Sequence, residues 1–378
     1  MKRLLCLTPN PVEGACDRHR VYEFLPYLQR AGFETTVRPM ATPTLYRALQ
    51  ARGRIATKAA HTSFCGLRRL WDLTSMHRYD MVMINREVFP FFTPVMETLV
   101  FWRQPRVVFS FDDAIYEGHE DVSQLTHPWL YRLKHSAGVK QVIGRSAHVI
   151  AGSNHLAAYA RQYNNNVSVV PTVVDLDQYT YLPRKPKAGT AINIGWWGSR
   201  STSPYLSVVN GAFKKLVAMH GDRVQFTIWG DGEYRSDVPN TRIVPFSLAA
   251  ELEELGKVDI GVMPMPDTRW TRGKCAFKAI QYMARGIPAV VSPVGMSAEL
   301  VEDGVNGLWA GNEQEWVSAL DRLIRDQALR ERFSIAGRRT VEQNYSLQVW
   351  GPRLAALLDH IIEEPCAVAA PRTVSASS

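Results

Sequence analysis

The chain has 378 residues, 46% hydrophobic and 21% charged, the balance of a globular protein long enough for two domains of ordinary size. No stretch approaches the roughly 20 uninterrupted apolar residues of a membrane-spanning helix, and the start, "MKRLLCLTPNP", has too short an apolar run for a secretory signal. The five cysteines (6, 16, 65, 275 and 366) lack CxxC spacing, which suggests neither a disulfide framework nor a zinc site and makes a reduced, cytoplasmic chain the simplest expectation.

Strand-like runs open the chain: "RLLCLTP", "ETTVRPM", "MVMINRE", "RVVFSFDD", "HVIAGS" and "VSVVPTVVD". Helical patterns lie between them, as in "VYEFLPYLQRAG", whose Leu25, Leu28 and closing Gly32 fit a helix ending at glycine. This half carries most of the net charge of +8, with 21 Lys/Arg against 15 Asp/Glu in residues 1–180 and 23 against 21 in the rest. Residues 41–70 alone hold six cations and no acid. Such a face suits phosphate, anionic lipid or nucleic acid, and a solvated helical surface explains it as well. With neither an RNP-like aromatic pattern nor zinc-finger spacing, nucleic acid is not an expected partner.

A polar, Pro-rich stretch, "YLPRKPKAGT" (181–190), is the best linker candidate. The alternation then restarts: strand "AINIGWWGS", a helix near 204–220, strands "VQFTIWG" and "TRIVPF", helix "LAAELEELGKV", strand "DIGVMPM". "AVVSPVG", "NGLWAG" and helices to about 362 complete it. Two α/β domains follow, with ligand expected at the carboxyl ends of the strands. The expected limits are an N-terminal domain over 1–182, a linker over 183–190 and a C-terminal domain over 191–345. A helix over 346–362 is expected to pack back on the first domain, before a disordered tail over 363–378.

The most informative stretch is "RGKCAFKAIQYMARGIPAVVSPVG" (272–295). Placed on one helix, Lys274, Lys278, Gln281 and Arg285 recur at four, three and four residues and share a face, opposite Phe277 and Ile280. A helix amino end favours an anion, so a diphosphate suits Lys274 and Lys278, and Gln281 is placed to bond a ribose. A solvated polar face on a surface helix would look the same.

With this motif, the sequence resembles family 4 of the retaining glycosyltransferases. Further matching stretches are "ACDRHRVYEFLPYL" (15–28), "INREVFP" (84–90), "FSFDDAIY" (109–116), "VIAGSNHLAAYA" (149–160), "VVPTVVDLDQY" (169–179), "IGWWGSRSTSPYL" (194–206) and "DIGVMPMPDTRWTRGK" (259–274). The resemblance implies an α/β protein of the GT-B fold, two Rossmann-like domains facing each other across a cleft. It implies transfer of a sugar from a nucleotide-sugar donor to a glycan, lipid-linked or other glycoconjugate acceptor, with retention and without metal or cofactor. The donor would be held by the C-terminal domain and the acceptor by the N-terminal one. A peripheral contact with the anionic inner face of a membrane is also expected, given the basic first half.

Carried over residue by residue, the family's two donor-site glutamates fall on Gly273 and Gln281, so both acids are missing. Arg200 lies near a phosphate-binding arginine, and Trp229 lies where the nucleotide base is placed, although core packing explains Trp229 equally. Gly295, Met296 and Ser297 offer backbone N–H groups to phosphate, with Glu299 beside them. Gly14 would let backbone approach the donor, and Arg18 and Arg20 are candidates on the acceptor side. Asp112 and Asp113, closing a buried strand, are the catalytic candidates, to orient an acceptor hydroxyl or stabilise positive character at the reacting carbon; helix capping is their alternative. His119 and His155 are weaker candidates. Asp175 and Asp177, in "DLD", read as structural rather than as metal ligands. Two other classes remain open: an epimerase or hydrolase of nucleotide-sugars on the same fold, and a non-catalytic protein that only binds nucleotide-sugar or glycan.

Overall fold

The computed structural model describes residues 1–50, 55–89, 94–117, 138–183 and 190–364. They form two compact units, one from Met1 to Thr172 joined by the residues from Trp350 onward, the other from Val173 to Val349.

The first unit is built on β1 (Lys2–Thr8), β2 (Phe33–Pro39), β3 (Met81–Asn85), β4 (Val107–Phe111), β5 (His148–Ala151) and β6 (Val167–Val169). All pairings are parallel, in the order β2-β1-β3-β4-β5-β6. Strands β3 and β4 are buried along their whole length, as continuous apolar runs in a two-sided parallel sheet must be. The helices are α1 (Ala15–Arg20), α2 (Leu25–Arg30), α3 (Pro43–Gln50), α4 (Ile55–Leu73), α5 (Val95–Arg103), α6 (Val139–Arg145) and α7 (Asn154–Ala160). The helix expected over "VYEFLPYLQRAG" is broken: Tyr22–Phe24 is a 3₁₀ turn, and Pro26 opens α2, where its missing N–H is tolerated.

The second unit repeats the plan with β7 (Ile192–Trp197), β8 (Val224–Gly230), β9 (Thr241–Pro245), β10 (Ile260–Met263), β11 (Ala289–Val291) and β12 (Gly307–Trp309). Its order is β12-β11-β10-β7-β8-β9, again parallel. Its helices are α8 (Asn210–His220), α9 (Glu251–Gly256), α10 (Arg269–Arg272), α11 (Phe277–Ala284), α12 (Met296–Leu300), α13 (Glu313–Arg325) and α14 (Gln327–Asn344). The last helix, α15 (Leu347–Glu363), starts in this unit and carries the chain back to the first. There Gly351 lies against the Tyr27 ring, and Lys2 binds Asp359 and Glu363.

The chain leaves the first unit at 172, ten residues before the expected boundary. Residues beyond it are held by the second core: Val174 pairs with Ser346, and Tyr179 is buried among the side chains of α11. Asp175 ties the turn that follows, accepting from Asp177 N–H (3.0 Å) and the Gln348 amide (2.8 Å), which gives "DLD" its structural role. Most of the expected linker, and the tail beyond 364, lie outside the described residues.

Each strand order reverses once, between β1 and β3 and between β7 and β10. At such a point successive connections leave in opposite directions and open a crevice at the carboxyl edge. In the second unit the β7–β10 pairing covers only Ile194 with Ile260 and Gly195 with Gly261. Beyond it, the Tyr282 hydroxyl of α11 accepts from Trp197 N–H (2.9 Å) and donates to the Val262 carbonyl (3.2 Å). Its ring lies against Gly261, where any Cβ would collide with the ring carbons. Burial pushes the phenol far above its ordinary value, so it stays a donor. Tyr282→Phe keeps the ring and removes both bonds. It should cost about 1–3 kcal/mol, read as a lower urea midpoint with an unchanged slope.

Candidate functional sites

At the carboxyl edge of the first sheet, β1 turns through residues 9–14 into α1. Gly14 closes the turn, its N–H donating to the Pro11 carbonyl (2.9 Å), and a Cβ there would lie 2.6 Å from Asn10 Cβ. Asp17, in the first turn of α1, is fully buried. It accepts from Asn10 N–H (3.0 Å), the Asn10 amide (2.9 Å) and the Asn85 amide at the end of β3 (2.7 Å). Burial outweighs these bonds and pushes its carboxyl up to about 6.

Asp112 and Asp113 follow β4. The Cys16 thiol donates to the Asp112 carboxylate, with its sulfur 3.1 and 3.2 Å from the two oxygens. Burial, and next the Asp112 charge, push that thiol well above its ordinary range, so it remains S–H. Arg86 sits directly after β3 at φ 65°, a left-handed conformation uncommon for a side chain of its size. Its guanidinium lies 3.1 Å from Asp113 and 4.0 Å from Asp112. Two carboxylates, a guanidinium and a thiol thus share one strand edge at and beside the β1/β3 switch point.

At the carboxyl edge of the second sheet, the loops after β7 and β8 meet through backbone. Gly198 N–H donates to the Trp229 carbonyl (3.1 Å), and Gly230, at φ +105°, lies so close to the Gly198 carbonyl that only glycine fits. Arg200 is exposed and pairs with Glu233 at 3.1 Å. Lys278, in the first turn of α11, reaches this loop: a Cβ on Gly198 would lie 2.8 Å from Lys278 Cε. Its ammonium sits 5.5 Å from the centre of the Trp196 ring. Ala276, buried at φ 54°, turns the chain sharply into α11. Lys274, in the same turn, lies 5.0 Å over the Trp270 ring. Gly295 (φ +53°) packs on the Arg272 carbonyl and opens α12. The loops bearing Gly198, Lys274, Lys278 and Gly295 therefore converge at the β7/β10 switch point, as an edge of backbone and cations suited to an anionic ligand. Among the described residues no group of three His, Cys, Asp or Glu side chains is placed to hold a metal ion.

Residues 19–178 match the family described as Glycosyltransferase Family 4, and residues 194–326 match Glycosyl transferases group 1. The chain is a glycosyltransferase of the family 4 type. Its GT-B fold is shared, at low identity, by the Anabaena protein Alr3699/HepE crystallised with UDP and glucose: TM-score 0.68, 15% identity, 95% of this chain and 100% of that one. A glycosyltransferase from Rickettsia africae gives 0.67 and 14% over 96% and 99% of the two chains. A sucrose-phosphate synthase from Thermosynechococcus elongatus gives 0.66 and 13% over 96% and 99%. No curated protein matches the chain.

Several residues singled out from the transferase's sequence fall elsewhere than expected. The face Lys274–Lys278–Gln281–Arg285 does not exist, because α11 begins only at Phe277 and Lys274 precedes it. From Ala279 onward the helix is buried on all sides between the sheet and α14. Gln281 points inward, its amide donating to the Tyr179 hydroxyl (2.7 Å) and to the Glu251 carboxylate (2.8 Å). Arg285 closes the helix by donating to the Thr180 carbonyl (2.9 Å) and hydroxyl (2.8 Å). Ser297 is fully buried, its N–H on the Val294 carbonyl (3.2 Å) and its hydroxyl against the Met263 sulfur, so it does not face a ligand as expected. Met296 is buried beside it and Glu299 is exposed. Trp229 stacks on Trp197 at 5.5 Å and is met edge-on by Phe246, which makes it part of the core.

In the first unit Arg20 is buried, bonded to the Val170 carbonyl and the Ser110 hydroxyl (2.9 Å); it braces β4 and the strand end after β6 rather than facing an acceptor. Arg18 lies 3.3 Å from the His19 ring, His155 is exposed, and His119 lies outside the described residues. Cys16, Asn85, Arg86 and Glu251 were not singled out from sequence. The signals for Asn85 and Arg86 were their position at the end of an apolar strand and their place in the matching stretch "INREVFP", and one glutamate among those of "ELEEL" carries no signal at all.

Asp17 gives a pH test. Its folded-state value, about 6, lies above the roughly 3.9 of an unfolded aspartate, so its stabilisation is complete below pH 4 and is lost as pH rises through 6. Asp17→Asn should flatten the stability profile between pH 4 and 7, measured by urea unfolding. For Gln281→Ala, which removes the bonds to the Tyr179 hydroxyl and the Glu251 carboxylate, a loss of about 1–3 kcal/mol is expected in the same assay.

Proposed function

We propose that the chain transfers a sugar from a nucleotide-sugar to a glycan, lipid-linked or other glycoconjugate acceptor, with retention at the anomeric carbon. The observation that carries the donor half is Lys278 laid against the Gly198 loop at the switch point of the second sheet. A diphosphate placed there meets the Lys278 ammonium, the amides at the start of α12 (Gly295, Met296) and, with modest movement, Arg200 and Lys274. These cations supply the charge that a leaving nucleoside diphosphate needs, without calling on a metal. Alr3699/HepE, a protein of the same fold, was crystallised with UDP, which supports a nucleotide as part of the ligand.

The first unit then takes the acceptor. Asp113, held by Arg86, and Asp112, held by Cys16, are the acids available to orient an acceptor hydroxyl or to face positive charge developing at the sugar carbon. Ribose recognition moves away from Gln281, which is enclosed. A second reading, nucleotide-sugar binding without turnover, is favoured by the same enclosure and by Gly273 standing where the family has an acid.

Thermal shift with UDP, GDP and ADP tests the donor half. One nucleotide should raise Tm, and Lys278→Ala should weaken its binding about tenfold or more, the worth of a charge-assisted phosphate contact. No shift with any of the three would sink the assignment. Asp113→Asn should bind the same nucleotide normally and lose turnover of its sugar; binding without turnover in the parent chain would select the second reading.

A further inference from the structure

From Phe64 onward the solvent face of α4 is apolar, the reverse of an ordinary surface helix. Among the described side chains from Ala56 to Trp71, the exposed ones recur at intervals of three and four, and none of these is charged. Phe64 is 59% exposed, Leu67 68%, Leu70 43% and Trp71 75%. From Arg68 onward the charged residues of this helix turn inward instead, Arg68 itself donating to the Met40 carbonyl (2.9 Å). Arg69 is buried, donating to the Thr8 (3.0 Å), Val88 (3.1 Å) and Arg38 (2.9 Å) carbonyls, and it pairs with Asp72 at 3.2 Å. With these interactions satisfied in the interior, the apolar stripe is left outside. At the end of α4, Arg103 of α5 donates to the Leu73 carbonyl (3.4 Å), which sets the 78% exposed Trp102 on the neighbouring helix.

The exposed charge of the segment that carries this patch has one sign. Among the described residues between 40 and 106, the fully charged side chains that are exposed are Arg47, Arg78 and Arg103, whereas Asp72 and Glu97 are buried and Asp80 and Glu87 are partly covered. A second copy of the chain is a poor occupant, because a two-fold contact would set these cations against themselves. An anionic lipid leaflet answers both features: a negative surface for the arginines, and an acyl boundary for leucine, phenylalanine and tryptophan.

We propose that this face of α4, with Trp102 of α5, seats on an anionic lipid leaflet, with Phe64, Leu67, Leu70 and Trp71 entering the acyl boundary. The seating is independent of the donor assignment, since partitioning is read without turnover.

The test is co-sedimentation of the full chain with vesicles of two parts phosphatidylcholine to one part phosphatidylglycerol, and with phosphatidylcholine alone. The parent should partition to the mixed vesicles, more weakly to the neutral ones, and less at high salt. Leu67→Ser with Trp71→Ser changes only exposed side chains, and circular dichroism checks that the fold is kept. This pair should lower partitioning about tenfold or more. In a Trp71→Phe chain, part of the vesicle-induced blue shift in tryptophan emission should disappear. Equal partitioning of parent and double variant overturns the proposal. So does a parent that ignores both vesicle types while light scattering shows a dimer that the double variant dissolves.

Discussion

The second unit depends on one side chain set into a gap between strands. Where the strand order reverses, β7 and β10 stop pairing, and the Trp197 amide and Val262 carbonyl would otherwise lose a partner inside the protein. A buried, unpaired backbone group is costly, and the Tyr282 hydroxyl answers both at once. Because its ring lies flat on Gly261, α11 can approach the sheet only at this register. That register brings Lys278, one turn earlier, up to the Gly198 loop. The contact that closes the core is therefore the same one that positions the cation of the donor edge.

The first unit solves a related problem with polar groups. Its switch point is lined by carboxylates, each matched to a different donor: Asp17 to two asparagines, Asp112 to a thiol, Asp113 to a guanidinium. The match is unequal. Asp17 is buried so completely that its bonds do not compensate the lost hydration, whereas Arg86 gives the pair after β4 an opposite charge. The left-handed backbone at Arg86 is the local cost of aiming that guanidinium back over the strand ends.

Interior and exterior are exchanged on two helices for the same physical reason. A helix sandwiched between a sheet and another helix has no outer face, so the polar residues of α11 must find partners inside, as Gln281 does with Tyr179 and Glu251. On α4 the inward polar residues, Arg69 and Asp72, are fixed by strand-end carbonyls and by each other, and the apolar residues are displaced to the surface. In both cases polarity along the helix misreports which side faces water.

The sequence by itself determined the alternation of strands and helices, the two parallel sheets and the family. Continuous apolar runs of four to seven residues fit only buried strands, and glycine and proline mark their ends. Asp112 and Asp113 were legible for the same reason, since residues that close a buried strand must sit at its edge. Three-and-four spacing, by contrast, says which residues share a helix face but not where the helix starts or what covers it. Only the tertiary structure decided that α11 begins at Phe277, that Gln281 and Arg20 are enclosed, and that Cys16 and Arg86 attend the acidic pair. Those facts come from packing between segments tens to a hundred or more residues apart, and no local pattern encodes such contacts.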